Sequence, residues 1–370
     1  MGKRGDERRW PCEQCGADLR FAPGQTELVC DHCGHSQSIP QNPWSRVKAL
    51  GELDLARGLR DDLPVAAMEE VQSTPCPSCG ALVEFQGATH AMECPFCATP
   101  VAIGTGSHRQ IKPQALIPFA LREPQARAAM VRWLGRLWFA PNGLVEYARK
   151  GRALAGLYVP YWTFDADTQS RYRGQRGTYY YTTRTVSVMV NGRHETRQEQ
   201  VRHTAWSPVS GRVARAFDDV LVLASQSLPR SYTDALAPWD LGALVPYNPD
   251  FLAGFTAEGY TVGLADGQMI AREVMEQVIR EDARQDIGGD EQRVEQVETD
   301  YAAETFKHVL LPIWMAAYKY RGKTYRFVVN GQTGRVQGER PWSAWKITFT
   351  VIFGLIVAGG LAYLYQMQQH

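Results

Sequence analysis

The feature that most constrains this chain is a repeat of cysteine pairs in its first hundred residues. All eight cysteines of the 370-residue chain lie between Cys12 and Cys97. They form two units of the pattern C-x2-C, fourteen residues, C-x2-C, and the second unit follows the first at a constant offset of 64 residues. The first unit is Cys12, Cys15, Cys30 and Cys33, and the second is Cys76, Cys79, Cys94 and Cys97. The repeat predicts two small modules built on one plan.

Each unit predicts a zinc site with four cysteine ligands. Zinc binds thiolates in a tetrahedron, and two CxxC pairs supply all four donors within a short span of chain. A module this short buries too little apolar surface to fold alone, so metal binding worth ~10–16 kcal/mol is expected to drive its folding. Gly16 and Gly80 follow the second cysteine of each unit, where a tight knuckle favours glycine. We therefore expect two small β zinc ribbons, residues 1–40 and 74–104, with two zinc ions per chain.

Other roles for the cysteines fit the pattern less well. Disulfides belong to secreted folds, and the polar segment Met1–Arg9 carries no secretory signal. A redox dithiol does not explain four CxxC pairs in two matched sets. His32 and His35 flank Cys33 and could replace a ligand, but every position of that tetrad already has a cysteine. The pattern favours metal ligands in a reducing compartment.

The residues after the first ribbon predict a helical linker and then a mixed domain. Residues 41–73 carry apolar residues at short-helix spacing and are interrupted at Pro64. Residues 111–340 are rich in aromatic side chains and predict an α+β domain with antiparallel sheets. A helix is expected from Glu123, with an apolar face at helical spacing formed by Ala126, Met130, Trp133, Leu134, Leu137 and Trp138. Further helices are expected over Leu144–Lys150 and over Gln268–Ile279, where Ile270, Val274 and Val278 share one face. A hairpin is expected from Thr185 to Trp206 around the turn Asn191-Gly192.

This domain also contains two pairs of similar motifs. Leu116–Phe119 resembles Leu244–Tyr247, and Tyr158–Trp162 resembles Leu311–Trp314 in the same order along the chain. The spacing between successive motifs differs, because Pro160 follows Pro118 by 42 residues, whereas Pro312 follows Pro246 by 66. We interpret the pattern as a duplication, with halves at about 111–235 and 241–340.

The last segment predicts a single transmembrane helix. Residues 347–365 contain 19 residues without a charge, about the length that spans the hydrocarbon of a bilayer. Trp345 and Tyr365 lie at its two ends, as interfacial aromatic residues do. Lys346 precedes the helix, whereas residues 366–370 contain no Lys or Arg, so the N-terminal domains are expected in the cytoplasm. A buried core helix of this length is the alternative.

Charge argues against nucleic acid as the ligand of the predicted ribbons. The whole chain has 40 basic and 39 acidic residues. Residues 75–101 contain no Lys or Arg, and residues 11–40 contain one basic residue against four acidic ones. A zinc ion with four thiolates adds a formal charge of about −2. Such surfaces repel phosphate, so DNA binding by the ribbons is not expected.

The sequence contains no complete catalytic motif. Gly322-Lys323-Thr324 ends like a phosphate-binding loop, but Ala317 stands where the leading glycine belongs, and the surrounding residues alternate like a hairpin. Asp165 and Asp167 could be paired carboxylates, but we expect them in a turn at a strand end. We therefore expect no catalytic residues and no enzyme activity.

Several segments resemble one known family. The tandem cysteine units, Leu157–Asp167, Gly174–Tyr181 and Val329–Pro341 are similar to bacterial TFIIB-type zinc-ribbon membrane proteins, which often carry the helicase-like name primosomal protein N′ or replication factor Y. The resemblance covers nearly the whole chain. It implies an association with envelope-stress modules that include phage-shock-protein-A-like (ESCRT-III-like) and flotillin-type membrane proteins.

Taken together, these features predict a membrane-anchored adaptor. Its zinc ribbons and α+β domain would recruit protein partners to the cytoplasmic face of the bacterial inner membrane, in envelope stress or membrane maintenance. The alternative is a DNA-binding replication or helicase-accessory protein, and an undetected hydrolase is a third possibility.

Overall fold

The computed structural model describes residues 10–40, 51–84, 91–96, 99–102, 107–138, 154–190, 193–320, 323–339 and 343–368. The helices are α1 (Leu55–Leu59), α2 (Glu123–Gly135), α3 (Arg230–Asp234), α4 (Leu264–Ile287) and α5 (Ala344–Gln368). The short strands are β1 (Leu19–Phe21), β2 (Glu27–Cys30), β3 (Ser36–Ser38), β4 (Leu53–Asp54), β5 (Met68–Pro75), β6 (Leu82–Glu84), β7 (Ala91–Glu93), β8 (Pro100–Ala102), β9 (Ser107–Ile111), β10 (Ala115–Leu116), β13 (Val245–Pro246), β14 (Thr256–Ala257), β16 (Lys323–Asn330) and β17 (Val336–Gly338). The long strands are β11 (Ala155–Val190), β12 (Arg193–Leu223) and β15 (Glu291–Tyr320).

Most strands join one mixed sheet. Its path is β12-β11-β15-β10-β13; β14 pairs with β11, β4 and β16 pair with β15, and β17 pairs with β16. β11 is antiparallel to both β12 and β15, whereas β10 is parallel to β15 and β14 is parallel to β11. The smaller sheets are β1-β2-β3, β6-β5-β9 and β7-β8. The expected antiparallel sheets are confirmed, and the two short parallel contacts are additional to them.

The pairing of β11 with β15 brings one pair of similar motifs together. Val159 lies opposite Leu311, and Pro160 lies opposite Leu310. The offset of 152 residues that separates Pro160 from Pro312 also separates Val159 from Leu311. The pairing is therefore locally two-fold symmetric about the contact between Val159 and Leu311.

The other two similar motifs, Leu116–Phe119 and Leu244–Tyr247, do not occupy equivalent positions in the sheet. Leu116 pairs with Val245 in the antiparallel contact of β10 with β13, so the two motifs are neighbours. The positional counterpart of β10 is β14, since each lies parallel to a central strand and each is followed, after six residues, by a long helix. Leu116–Phe119 and Leu244–Tyr247 therefore meet in the pairing of β10 with β13, the last two strands of the sheet path.

The central strands separate two cores because their side chains alternate between the faces of the sheet. On one face, Tyr158, Leu310 and Trp314 pack with α2 and with β1 and β2. On the other face, Val159 and Ile313 pack with residues of the second cysteine unit and with the segment around α3. All of these side chains are buried. The sheet is therefore covered on both sides at its centre.

The two long helices follow the predicted periodicity, with one shift in register. α2 buries Ala126, Met130 and Leu134, as expected. In α4 the buried stripe is Leu264, Gly267, Ala271, Met275, Ile279, Ala283 and Ile287. The expected face of Ile270, Val274 and Val278 is only half-buried, because the small residues Gly267 and Ala271 let the helix approach the sheet. A Cβ on Gly267 would lie 2.7 Å from the Trp162 ring.

Other segments differ from their predictions in length or type. The expected hairpin is present, since Val190 pairs with Arg193, but its strands run far beyond Thr185 and Trp206. The turn Asn191-Gly192 and the expected helix Leu144–Lys150 lie outside the described residues. Of the predicted helical linker 41–73, the described part contains only the five-residue α1 and one short turn besides strands β4 and β5.

The long strands form a projecting arm. A strand of 36 residues such as β11 extends for about 120 Å at ~3.3 Å per residue. β15 accompanies β11 as far as the pair of Gly177 with Glu291, and beyond this pair only β11 and β12 continue. α4 covers one face of the three-stranded part, where Tyr172, Ala283 and Ile287 form a small core.

The last helix stands apart from both cores. In α5, the stretch Trp345–Met367 contains 23 residues. Its most apolar window of 18 residues has a mean hydropathy of 2.1, and none of that window is buried. By length and composition, this helix could cross a membrane, as the sequence predicted for residues 347–365.

A buried lysine joins the strands where the body of the sheet passes into the arm. The Lys307 side chain is 7% exposed, and its Nζ lies 2.8 Å from Asp219 Oδ1, 3.1 Å from Glu52 Oε1 and 3.8 Å from Asp165 Oδ2. Burial lowers the pKa of Lys307, but the hydrogen bond and charge of Asp219 and the other carboxylates outweigh burial and raise it. Burial raises the pKa of Asp165 to about 6. We call these four residues the Lys307 cluster.

Bulges in the outer strands bring the Lys307 cluster together. Phe164 pairs with Val220 and Ala166 pairs with Phe217, so β12 has two residues between these pairs where β11 has one. One of the two, Asp219, has a φ of +54°. The Asp219 N–H donates to Asp165 Oδ1. Asp165 therefore lies inside a continuous strand, and the prediction of a turn at this position is wrong, because the irregularity is in the neighbouring strands and not in β11.

Replacing Lys307 is expected to destabilise the fold in a pH-dependent way. Lys307→Met leaves the half-buried carboxylates of Asp165 and Asp219 without their ammonium group, at a cost of a few kcal/mol that is bounded by the ~3–5 kcal/mol for a fully buried pair. A carboxyl with a raised pKa is neutral in the folded state below that pKa, so Asp165 takes up a proton as pH falls through about 6. We expect the loss in unfolding free energy to be larger at pH 8 than at pH 5, as measured by urea denaturation.

The matched control is Arg230→Met, which removes an exposed cation paired with Asp234. Its cost is expected to be within ~1 kcal/mol at both pH values. A Lys307→Met cost that equals the control, or that does not change with pH, contradicts this account of the cluster.

Candidate metal centres

The first cysteine cluster is built from two identical turns. The Cys12 N–H donates to Ala17 O at 2.7 Å, and the Gly16 N–H donates to Cys12 O at 2.8 Å. The second turn repeats this pattern from Cys30, with distances of 2.8 and 2.9 Å. Gly16 and Gly34 have φ of +73° and +74°, a conformation that L side chains avoid. The sequence thus fixes each knuckle locally, with glycine four residues after its first cysteine.

The second cysteine cluster uses the same turn. The Cys76 N–H donates to Ala81 O and the Gly80 N–H donates to Cys76 O, at 2.8 and 2.9 Å. Cys94 begins the other turn, and its N–H donates to Thr99 O at 2.8 Å. The predicted ligand Cys97 lies outside the described residues. The three described cysteines of this unit lie together, as the sequence predicted.

The sulfur positions fit a tetrahedral metal ion. In the first cluster all four Sγ atoms lie within 4.8 Å of one another, and the shortest distances are 3.5 Å from Cys15 to Cys30 and 3.6 Å from Cys12 to Cys33. Four sulfurs at ~2.3 Å from a zinc ion would be about 3.8 Å apart. In the second cluster, Sγ of Cys79 lies 3.7 Å from Sγ of Cys94. Both clusters could therefore hold a metal ion.

The backbone of the knuckle stabilises one thiolate, but not a set of four. N–H groups of Cys33 and His32 donate to the Cys30 sulfur and lower its pKa to about 6. The His35 N–H lowers the pKa of Cys33, but burial and the sulfurs of Cys15 and Cys12 outweigh it and raise that pKa to about 12. The sulfurs therefore compete for negative charge, and a bound divalent cation removes this competition.

Histidine does not join the first cluster. The group of possible ligands there consists of the four cysteines, and His32 and His35 are not part of it. His35 contributes its backbone carbonyl, which accepts the Cys30 N–H. This arrangement agrees with the expectation that both histidines are bystanders.

The two clusters pack against opposite faces of the central sheet. Cys12, Cys30 and Phe21 belong to the same core as Tyr158 and Phe251. On that side the Phe21 N–H donates to Ala253 O at 3.0 Å. Cys76, Cys94 and Phe96 belong to the core that contains Val159 on the other face. There the Gly259 N–H donates to Leu82 O at 3.1 Å. Each cluster is thus part of the core of the sheet it covers.

The connection between β16 and β17 has the knuckle fold without a cysteine. The Asn330 N–H donates to Arg335 O at 2.8 Å, and the Gly334 N–H donates to Asn330 O at 2.9 Å, with a φ of +76° at Gly334. Asn330 Oδ1 accepts the N–H groups of Gln332 and Thr333, at 2.8 and 2.9 Å. These groups correspond to the His32 and Cys33 N–H groups at Cys30. The knuckle therefore needs an acceptor at its first residue, which is a sulfur in the clusters and an amide oxygen here.

The other residues considered from sequence do not form a further site of this kind in the described part of the chain. Asp167 is exposed and does not join Asp165. Tyr320 pairs with Lys323 in an antiparallel hairpin, so Lys323 begins a strand and not a helix; Gly322 lies outside the described residues. A third group of possible ligands is formed by the carboxylates of Glu52, Asp165 and Asp218, a group that sequence reasoning missed because its members are far apart in the chain. There the Lys307 ammonium group already pairs with Glu52 and Asp165.

The chain is similar to one curated protein over nearly its whole length. It is 24% identical over 348 residues to a Bacillus subtilis (strain 168) protein described as "Uncharacterized protein YdjG", and the match covers 91% of each chain. No family model matches the chain, and no solved structure matches it.

Metal analysis tests the two clusters. Protein purified under reducing conditions is expected to contain about two equivalents of a divalent metal, and Cys12→Ser or Cys94→Ser about one equivalent, because four sulfurs are needed for a closed site. Since both clusters share a core with the sheet, removing the metal with a chelator is also expected to lower the unfolding midpoint of the whole chain.

Ser36→Ala, next to the first cluster but outside it, is the matched control and should keep both ions. One equivalent or none in the unaltered protein, with all thiols free, contradicts the assignment of two metal centres.

Proposed function

We propose that the protein is a membrane-anchored adaptor that recruits protein partners through its cytoplasmic part. In this proposal, residues 1–40 and 74–104 are zinc ribbons with one zinc ion each. Residues 111–340 are a duplicated α+β domain, and α5 is a single-pass anchor in the bacterial inner membrane.

Zinc is supported by the donor set. Four sulfurs with tetrahedral spacing suit a soft, redox-inert ion that forms closed structural sites. The knuckle hydrogen bonds add stabilisation of the Cys30 thiolate. The ion in this proposal has a structural role and holds each ribbon against the sheet.

The observation that carries the proposal is the independence of α5 from both cores. The most apolar part of the helix has no buried residue, whereas every other long helix buries a stripe against the sheet. An apolar helix of this length needs a nonpolar environment, and a bilayer supplies it. The flanking Lys346 supports a cytoplasmic location for the rest of the chain.

A role in recruitment is supported by the shape of the anchored part. The arm extends far from the metal clusters and presents exposed side chains on its unaccompanied hairpin. Anchoring such a scaffold raises the local concentration of whatever it binds at the membrane. Phage-shock-protein-A-like or flotillin-type proteins are proposed as partners from the family resemblance.

One observation favours the alternative of DNA binding. Residues 168–215 of the arm contain nine Arg, no Lys and two acidic residues, Glu195 and Glu199. A basic surface of this kind attracts polyanions. This patch lies on the arm and not in the cysteine modules, where the charge is acidic, so an adaptor remains our preferred function.

Deleting α5 tests the anchor. The chain lacking residues 344–370 is expected to leave the membrane fraction without detergent, because no core residue is lost. A reporter fused after His370 should report the periplasmic side. If the truncated chain still sediments with membranes, or if the reporter is cytoplasmic, the single-anchor topology is wrong.

Measurements of partner capture and of DNA binding distinguish the adaptor from the DNA-binding alternative. In solubilised membranes the intact chain is expected to retain a phage-shock-protein-A-like or flotillin-type protein, and Cys12→Ser or Cys94→Ser should reduce this retention. The companion measurements are ATP turnover and DNA binding near physiological salt. Submicromolar DNA binding under these conditions, or DNA-stimulated ATP hydrolysis abolished by Lys323→Ala, would overturn the adaptor proposal.

A further inference from the structure

The open face of the arm carries a cavity with an unusual concentration of arginine. The cavity has a volume of about 520 Å³. It is lined by Arg171, Tyr172, Arg173, Ser210, Gly211, Arg212, Gln296 and Glu298. Glu298 is the one carboxylate in this lining, so the charged side chains of the cavity sum to +2.

The register of the sheet explains why the three arginines converge. Arg171 lies directly opposite Arg212, and Arg173 lies directly opposite Ser210. Residues two apart in a strand share a face, so these four side chains form a block on the face of the arm opposite to Tyr172 and α4. Ser210 is short, and the longer arginine side chains around it form the walls of the cavity.

The arrangement leaves positive charge without an ion pair at two of the three arginines, although Arg171 lies directly opposite Glu298 in β15. Like charges directly opposite each other in a sheet are destabilising. Arg171 has an ion pair with Asp300 at 3.5 Å, but Arg173 and Arg212 form no ion pair with any carboxylate in the described part of the chain. Elsewhere on the arm the sequence does neutralise an arginine, since Arg215 pairs with Asp282 at 2.6 Å. The cavity therefore has two guanidinium groups without an ion pair in the described residues, beside a third that is paired with Asp300, and its lining keeps a net charge of +2 with Glu298 counted.

We propose that this cavity binds a phosphate group, held by Arg171, Arg173 and Arg212 with the Ser210 hydroxyl as a further donor. The planar guanidinium group presents paired N–H donors that match phosphate oxygens, and it is the side chain that proteins favour for this task. All nine Lys or Arg residues of the segment 168–215 are arginine, which agrees with recognition of a phosphate group. The phosphate could belong to free phosphate or to an anionic phospholipid headgroup, because both present the same oxygens.

The first experiment measures unfolding of the full chain in a neutral detergent, with inorganic phosphate against chloride at equal ionic strength. Phosphate is expected to raise the unfolding midpoint, since a ligand that binds only the folded state stabilises it. Arg171→Gln/Arg173→Gln/Arg212→Gln should lose this shift. Without phosphate, the single variant Arg212→Gln should unfold at the same midpoint as the unaltered chain or a higher one, because it relieves the repulsion with Arg171.

The matched control is Arg184→Gln/Arg197→Gln/Arg230→Gln, which removes three exposed arginines outside the cavity. It should keep the phosphate shift, and both triple variants should keep the metal content of the unaltered chain. An equal phosphate shift in both triple variants, or no shift in the unaltered chain, would overturn the site.

A second arm of the experiment identifies the source of the phosphate. Short-chain phosphatidylglycerol and phosphatidylcholine are titrated into the same detergent, and bound lipid is counted by native mass spectrometry. At least tenfold tighter binding of phosphatidylglycerol than of phosphatidylcholine, lost only in the cavity variant, assigns a headgroup. Equal binding of both lipids with an intact phosphate shift assigns free phosphate. If duplex DNA binds through these arginines while phosphate gives no shift, the small-anion site is wrong. None of these readouts depends on α5 crossing a membrane or on a protein partner.

Discussion

The antiparallel pairing of β11 with β15 is the constraint on which the rest of the structure depends. The pair of Val159 with Leu311 lies at its centre, where the sheet is buried on both faces. Toward one end the sheet carries α2 and both cysteine clusters, and toward the other it extends into the arm. Because side chains alternate along each strand, a shift of one residue in this register would exchange the two cores and move both clusters from their contacts.

The clusters are therefore parts of the sheet rather than independent modules. From sequence alone, loss of one cluster is expected to unfold one ribbon and leave the α+β domain intact. In the structure, Cys12 and Cys30 share a core with Tyr158, and Cys76 and Cys94 share one with Val159. Opening a knuckle would expose these buried side chains of β11, so any metal ion held by the clusters would be coupled to folding of the sheet.

Local chemistry explains which features the sequence could predict. The cysteine spacing and the glycines that follow determine the knuckles within six residues, and the periodicity of α2 is equally local. The length of β11 depends on pairing with β12 and β15, and the bulges beside Asp165 involve residues of these strands that lie more than 50 and 130 residues away from it. The Lys307 cluster needs Glu52 as well, and no sequence pattern links Glu52 to Lys307. The buried stripe of α4 differs from the predicted one because small residues form part of its contact with the sheet, and small residues contribute little to a hydropathy pattern.

The outer part of the arm is a physical exception to the rest of the fold. Beyond Gly177 the described residues place only two strands there, with no helix or third strand beside them, and such a hairpin is marginal in water by itself. Cross-strand contacts support it, including Arg202 over the Tyr179 ring at 4.3 Å and His203 stacked on Tyr180 at 5.3 Å. The arginine cavity lies in the three-stranded part, where α4 holds the opposite face. A ligand there meets a preformed surface, whereas a partner of the outer hairpin would have to supply the apolar contacts that the hairpin lacks.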